Sequence, residues 1–471
     1  MDTSREPWRR ETAGSFAAAR SIGAAFDVWI SAWQSPAAII GRSEMRLRTL
    51  IEFASAHAPL YQRLYRNVPV DVPPRLADLP VVNKRMLMQD LAATLTARNV
   101  SQRDIERFLA DAPVGGLLNG CHAVWTSSGT TGTPGVFLHD RDALAIYDAL
   151  EMFRFRGLAA PAEMAAHMLA GDRFAMVAAT GGHFAGAAMV ERLRRAFPWL
   201  AANLRVFSLL QPLGDLVRQL NDFQPTQVAT YPTAADLLAD EQLAGRLRIA
   251  PMEIWTGGEC LGEPTRARLR RVFDARIRNS YGASEFLSIG AECSHGVIHA
   301  NADWVILEPV DTNYRAVDPG ETSATVLLTN LANGIQPLIR YDLGDSVTML
   351  PEPCPCGSPL PALRVEGRHD DSVALEAPDG RSVTLLPLVL ATVLEEEARV
   401  HDFQLVQRSA DRLVLRLGRH TSDAAPRACA ALQRYLRVNG LANTQLEVAP
   451  EPPQRDAASG KLRRVICACH H

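Results

Sequence analysis

Trp125-Thr126-Ser127-Ser128-Gly129-Thr130-Thr131-Gly132-Thr133-Pro134-Gly135 mixes hydroxyl side chains with glycines directly behind a short apolar approach. Glycines let a backbone adopt φ > 0 and bring its N–H groups close to an anion, while Ser and Thr hydroxyls rotate to donate to phosphate oxygens. The stretch reads as a phosphate-handling loop, although composition alone also allows a polar surface turn. It is not a Walker A loop, because no lysine follows its last glycine to reach the terminal phosphates. The rest of the chain has to decide.

With 471 residues, 47% of them apolar and 21% charged, the chain can build two or three domains around a substantial core. A net charge of -3 argues against nucleic acid as the main partner and favours a small-molecule ligand. No run approaches the roughly 20 apolar residues of a membrane span, and Met1-Asp2-Thr3-Ser4-Arg5-Glu6 lacks the pattern of a signal peptide. A cytoplasmic protein with no membrane partner is expected. Its eight cysteines are therefore read for metal binding before disulfides.

The first 70 residues read as helical, since Arg46, Leu47, Leu50, Ile51, Ala54, Ala58, Leu60 and Leu64 keep a period near 3.6 until Pro69, Pro73 and Pro74. From about residue 140 to 350, helical stretches such as Asp215 to Phe223 alternate with β-rich runs: Gln227 to Tyr231, Met252 to Trp255 and Ala324 to Thr329. Such alternation predicts an α/β architecture. Prolines at 351, 353, 355, 359 and 361 change the composition, and a domain boundary is placed just beyond them. The chain is thus divided into a large domain, 1–366, and a small α+β domain, 367–471, with strands near Phe403 to Gln407 and Arg412 to Leu417 and helices near 386 to 398 and 424 to 438.

Four further motifs follow the loop. Trp255-Thr256-Gly257-Gly258-Glu259 runs a strand into paired glycines, where a flat ring could lie on bare backbone. Asn279-Ser280-Tyr281-Gly282-Ala283-Ser284-Glu285 offers an aromatic face and, four residues on, a carboxylate suited to Mg²⁺; it is equally a turn after a strand. In Arg340-Tyr341-Asp342-Leu343-Gly344-Asp345, a carboxylate just past a glycine can accept both hydroxyls of a ribose. Ser459-Gly460-Lys461 sets a lysine behind a flexible pair, able to swing a point charge onto a developing anion, although a solvated basic tail has the same pattern.

In order and spacing the five motifs resemble the adenylate-forming superfamily, and within it the phenylacetate-CoA ligase-like family. The family's opening pattern is seen in Ala58-Pro59-Leu60-Tyr61-Gln62-Arg63-Leu64-Tyr65 and Leu79-Pro80-Val81-Val82-Asn83-Lys84, so the likeness covers nearly the whole chain. It implies a large adenylate-forming domain carrying a small mobile C-terminal lid. By the same resemblance Ser127, Ser128, Gly129, Thr130, Thr131 and Gly132 hold the β- and γ-phosphates of ATP. Gly258, Glu259, Tyr281 and Gly282 frame adenine, Ser284 and Glu285 sit by the α-phosphate and Mg²⁺, and Asp345 and Arg368 bind ribose. Lys461, Glu285 and Thr130 are the implied catalytic residues, Asp370 the hinge, and His183, Phe184, Tyr231 and Ala283 the acid pocket, with the alternative that His183, Phe184 and Tyr231 are simply core.

The implied reaction is ATP-dependent activation of a carboxylic acid, expected to be aromatic, as an acyl-adenylate with release of pyrophosphate, followed by transfer to the thiol of CoA. The expected partners are the small acid, ATP and an acceptor, CoA or an amine, with homodimer formation left open. After Arg368 the chain departs from the family, replacing a glycine-containing loop by a hairpin across Ser372 to Thr384 with an Asp379-Gly380 turn. Adenylation is therefore better supported than transfer to CoA, and an amine, a carrier-protein thiol or another nitrogen nucleophile is the alternative acceptor. Cys293-Ser294-His295-Gly296-Val297-Ile298-His299 and Cys354-Pro355-Cys356-Gly357 pair thiolate with imidazole as a structural Zn²⁺ site would. Cys293, His299, Cys354 and Cys356 are the expected ligands, with His295 as substitute and reduced surface thiols as the alternative. Cys467, Cys469, His470 and His471 form a weaker terminal cluster.

Overall fold

Strands alternating with amphipathic helices from residue 174 to 281 can bury both faces of a sheet only if the strands run parallel and the helices cross over them. The computed structural model, which describes residues 15–66, 75–127, 135–155, 171–366, 373–418, 423–454 and 463–468, shows this arrangement. After the antiparallel pair β1 (Ala123–Ser127) and β2 (Gly135–His139) come β3 (Phe174–Ala178), β4 (Leu204–Ser208), β5 (Gln227–Thr230), β6 (Glu253–Thr256) and β7 (Arg276–Tyr281). The last five pair in parallel in the order β4-β3-β5-β6-β7. Ala175, Val177, Val228, Ile254 and Ile277 face one way and pack with Leu216, Leu220, Leu238 and Leu269 of the crossover helices Leu213–Phe223, Pro232–Leu243 and Glu263–Phe273. Each of these larger side chains is worth about 1.5 to 3 kcal/mol when fully buried.

The sheet does not end at β7. It continues antiparallel through β8 (Gly290–Glu292) and β9 (Ile298–Ala300); β10 (Val305–Val310), β11 (Thr325–Asn330) and β12 (Tyr341–Asp342) form a separate three-stranded sheet. The nine-stranded sheet is then completed by β13 (Val347–Met349) and β14 (Ala362–Val365). Because Met349 pairs with Leu363, the proline-rich stretch between them is a hairpin loop of the large sheet, and the compositional break it makes is local.

The N-terminal helices α1 (Ser15–Ser31), α2 (Pro36–His57) and α3 (Pro59–Leu64) pack through Val28, Leu50, Ala54 and Tyr61 on a second core that includes Trp125, Tyr147, Phe286 and Tyr341. Pro69, Pro73 and Pro74 lie outside the described residues. Helix α4 (Lys84–Gln89) is capped by Asn83, whose side chain accepts from the Met86 N–H at 3.0 Å. Further on, α5 (Gln102–Asp111), α6 (Arg141–Leu150) and α7 (Ala185–Ala196) complete the helices up to residue 200 that matter for the site.

In the C-terminal part the expected hairpin is present as β15 (Val373–Glu376) and β16 (Ser382–Leu385), and Gly380 takes φ +80° in its turn. A four-stranded sheet, β19 (Gln445–Ala449), β18 (Arg412–Leu417), β17 (Phe403–Ser409) and β20 (Val465–Cys467), packs against the helices Pro387–Thr392 and Ala424–Val438. One apolar cluster runs from the parallel strands through Leu386 and Leu390 to Phe403 and Leu415. Among the described residues, no helix is long and apolar enough to cross a membrane.

Candidate active site

The C-terminal ends of β5, β6 and β7 open onto a cavity of about 750 Å³, within the range of ligand pockets. Open α/β sheets bind ligands at this edge because strand ends there give way to loops. Ser127, Phe184, Tyr231, Gly258, Glu259, Tyr281, Gly282, Ala283, Ser284, Glu285 and Asp345, all singled out in the sequence, line this one space. Ser128, Gly129, Thr130, Thr131, Gly132, Arg368, Asp370, Lys461, Cys469, His470 and His471 lie outside the described residues.

The Tyr281 hydroxyl donates to Asp345 Oδ2 at 3.1 Å, so the aromatic face and this carboxylate sit side by side although far apart in sequence. Glu259 accepts from the N–H and the hydroxyl of Thr233 at 3.1 and 2.8 Å, which ties the Gly257-Gly258 strip to the start of the helix Pro232–Leu243. At Gly258, φ is +77° and an added Cβ would approach the Tyr231 ring at 3.3 Å, so the bare backbone there is already faced by an aromatic of the chain itself. Burial raises the Tyr231 phenol to about 12, and it stays neutral in the working range.

Residues 283–286 form a tight turn in which Ala283 and Phe286 exchange backbone hydrogen bonds at 3.0 and 3.2 Å. Gly282 has no room for a side chain, since an added Cβ would sit 2.0 Å from the Leu287 carbonyl oxygen. The Ser284 hydroxyl donates to the Thr126 carbonyl at 2.9 Å and joins this turn to the end of β1. His139 Nε2 lies 2.9 Å from the Ser284 carbonyl, and Asn330 Nδ2 donates to the Glu285 carbonyl at 2.9 Å. Burial holds the His139 imidazole down to about 3, so it serves as a neutral donor to the turn.

Glu285 is buried, and desolvation pushes its carboxyl above the ordinary value; Lys84 and the Tyr341 hydroxyl, which donates to Oε1 at 2.9 Å, pull the other way. Lys84 also lines the cavity and donates from Nζ to Ser127 Oγ at 3.1 Å. Neither Lys84 nor Tyr341 stands out in the sequence as a site residue. There they appear only inside longer motifs, Lys84 at the end of Leu79 to Lys84 and Tyr341 four residues before Asp345.

His183 does not line the cavity. Its ring packs 5.2 Å from Phe108 and its carbonyl accepts from Thr126 N–H at 2.9 Å, so the core alternative describes it, whereas its neighbour Phe184 does reach the cavity. On the far wing of the sheet the ligand atoms of Cys293, His299, Cys354 and Cys356 all lie within 4.8 Å of one another. Cys293 Sγ is 3.8 Å from Cys354 Sγ, and His299 Nε2 is 3.3 Å from Cys356 Sγ. His299 Nδ1 contacts the Leu360 carbonyl at 2.9 Å, which orients Nε2 toward the thiols. His295 is exposed and stands outside this group.

Among solved structures, a 2-hydroxyisobutyryl-CoA ligase in complex with 2-HIB-AMP and CoA, in its thioesterification state, matches 99% of this chain and 94% of its own with a TM-score of 0.55 at 22% identity. The same ligase in its postadenylation state with R3-HIB-AMP gives a TM-score of 0.52 at 22% identity, covering 99% of this chain and 94% of that one. The chain has the adenylate-forming ligase fold. No family model matches it. Protein CapK of Staphylococcus aureus is 25% identical over 206 residues, 43% of this chain and 43% of that protein, so the match spans less than half of the curated relative. In the adenylate-forming fold, the expected α/β architecture extends over nearly the full length of the chain.

Proposed function

We propose that this protein is an AMP-forming acid ligase: it activates a carboxylic acid with ATP as an acyl-adenylate, releases pyrophosphate, and passes the acyl group to the thiol of CoA. The observation that carries this reading is the convergence of Ser127, Gly258, Tyr281, Glu285 and Asp345, from separate stretches of the chain, on one cavity with an apolar side. Tyr281 offers a face to adenine and its hydroxyl fixes Asp345 for the ribose hydroxyls. Phe184, Tyr231 and Ala283 form the mouth that receives an aromatic or other apolar acid.

A desolvated carboxylate beside the start of the phosphate loop suits a divalent cation, so Glu285 is the residue that would hold Mg²⁺. That ion, when bound, neutralises phosphate oxygens as a Lewis acid. The chain's own groups do the rest. Lys84 supplies positive charge next to Ser127, the Tyr341 hydroxyl favours the ionised form of Glu285 against its burial and orients it, and the Thr126–Ser284 bond aligns the phosphate loop with the carboxylate. Electrostatic preorganisation of this kind is often the largest part of an enzyme's acceleration.

Residues 1–366 form the adenylation domain in this proposal, and residues 367–471 a lid that turns about Asp370 and delivers Lys461. The loop from Ser128 to Gly132 supplies backbone and hydroxyl contacts to the phosphates, and Arg368 contacts the ribose. Cys293, His299, Cys354 and Cys356 hold a structural zinc ion. Tetrahedral Zn–S bonds of about 2.3 Å put ligand atoms roughly 3.8 Å apart, and the 3.8 Å between Cys293 and Cys354 supports this. The hairpin Val373 to Leu385, standing where ligases of this kind have a glycine-containing loop, favours a second reading of the last step, with transfer to an amine, a carrier-protein thiol or another nitrogen nucleophile.

Purified protein mixed with ATP, Mg²⁺ and a panel of apolar acids should release pyrophosphate. Tight ATP binding without release for any acid would defeat the ligase reading. Lys461→Ala should abolish adenylate formation and leave ATP binding in place, and mass spectrometry with CoA or amines as acceptor separates the two last steps.

A further inference from the structure

The cavity does not stop at its mouth. It continues between α7 and the face of β3 and β4 that carries Phe174, Met176 and Leu204, and every residue those three elements present to it is apolar. Strand β3 lies inside the sheet between β4 and β5, with α7 packed across it, yet Phe174 and Met176 are only half-buried. An interior strand under a helix should have fully covered side chains, and both of these line the space. Ala175, on the opposite face of the same strand, is fully packed.

The helix and the strand that line the space each give its depth. From Ala185 to Leu193 the helix lines the cavity through eight steps of about 1.5 Å, and from Ala178 back to Phe174 the strand lines it through four steps of about 3.3 Å. Both come to about 12 or 13 Å, the reach of an extended chain of roughly eight to ten carbons. The charged residues that line the cavity, among them Lys84, Glu259, Glu285 and Asp345, all belong to other elements. Part-way along, the Met176 methyl stands 3.5 Å from where a Cβ on Gly186 would be, so these two lining residues meet across the space. Methionine is unbranched and adaptable, so a chain can displace its tip.

We infer that the acid activated at this site is an extended one, whose uncharged, apolar body of about eight to ten carbons lies along α7 past Gly186 and Met176. This rests on the ligase reading and adds the substrate class to it. A benzoate or phenylacetate ring would fill only the mouth.

The test compares butyrate, octanoate, decanoate, dodecanoate and phenylacetate for pyrophosphate release, and separately measures by calorimetry the binding of decanoate and butyrate without ATP. With each added methylene worth about a fourfold gain where it is buried, kcat/KM should climb from butyrate to an optimum at octanoate or decanoate and fall for dodecanoate. Gly186→Leu should move the optimum to shorter acids, and Met176→Ala should move it toward longer or bulkier ones. Opposite shifts of this sort cannot come from loss of folding. Highest activity with phenylacetate or butyrate, or variants that leave the length profile where it was, would overturn the inference. Decanoate binding that Gly186→Leu weakens, without pyrophosphate release, would uphold the channel and defeat the ligase reading. Absence of decanoate binding alongside turnover of short acids would do the reverse.

Discussion

Removing one oxygen from Tyr341 should move the acid limb of the reaction. In wild-type protein the Tyr341 hydroxyl donates to Glu285 Oε1 at 2.9 Å, with both residues buried. Burial and the adjacent carboxylate push the phenol well above its ordinary value, so it is a neutral donor at every practical pH. A hydrogen bond to an ionised partner is worth about 1.5 to 3 kcal/mol, and one pKa unit is about 1.4 kcal/mol. Tyr341→Phe therefore raises the Glu285 pKa by roughly one to two units. Burial already holds it above its unfolded value. If the reaction needs the Glu285 carboxylate ionised, the acid limb of kcat/KM for pyrophosphate release moves up by that amount, and the rate approaches wild type at high pH. Stability has a matching signature. A carboxyl raised in the folded state binds more protons folded than unfolded, so stability falls as pH rises through its pKa. The variant should be about 1.5 to 3 kcal/mol less stable than wild type at pH 8 and close to it near pH 4. An acid limb that stays in place while the rate drops uniformly would refute the assignment of Glu285 as the ionising group.

Other expectations are simpler to check. Gly282→Ala, which sets a methyl 2.0 Å from the Leu287 carbonyl oxygen, should cost several kcal/mol and be visible as a large drop in Tm. Cys356→Ser should reduce zinc, measured by plasma spectrometry, from one per chain to a small fraction, and chelation of the wild-type protein should lower Tm similarly. His139, held down to about 3 by burial, contributes stability that is full above about 6.5 and is lost as pH falls toward 3. Urea unfolding of His139→Gln should accordingly show a smaller loss between pH 7 and pH 5 than wild type, and an equal loss would assign the acid sensitivity elsewhere. Lys84→Met should slow adenylate formation by about a hundredfold at unchanged folding, judged by circular dichroism.

Periodicity is a good guide wherever local forces dominate. The helix expected near 424 to 438 is Ala424–Val438, and the run Arg412 to Leu417 is a strand over those residues, because one face of each is continuously apolar. The motifs that converge on the cavity are also legible as strand ends, since glycine and acidic residues there report backbone geometry that few other sequences satisfy. His183 reads as pocket in the sequence because the resemblance places an acid-binding segment there, with core as the alternative. Whether it is depends on Phe108, some 75 positions earlier, and nothing local encodes that contact. Lys84 and Tyr341 escape notice for the same reason, as their chemistry arises only when α4 and β12 are brought to Glu285.

The antiparallel wing shows how a distant feature can bear on the site. Cys293 follows β8, His299 is on β9, and Cys354 and Cys356 occupy the loop that joins β13 to β14. Strands β9 and β14 pair directly, Ala362 opposite His299, so the four side chains meet where the loop of the outermost hairpin lies against its inner neighbours. Asp345 lies two residues before β13, on the same hairpin, and its carboxylate is held by Tyr281 at the end of β7. A short edge hairpin rich in proline has few ladder bonds of its own, and a tetrahedral clamp would replace the order that they cannot supply. With zinc bound as proposed, the cysteines would have a reason to lie where they do: they would fix the register of the strand that starts beside Asp345, without lining the cavity themselves.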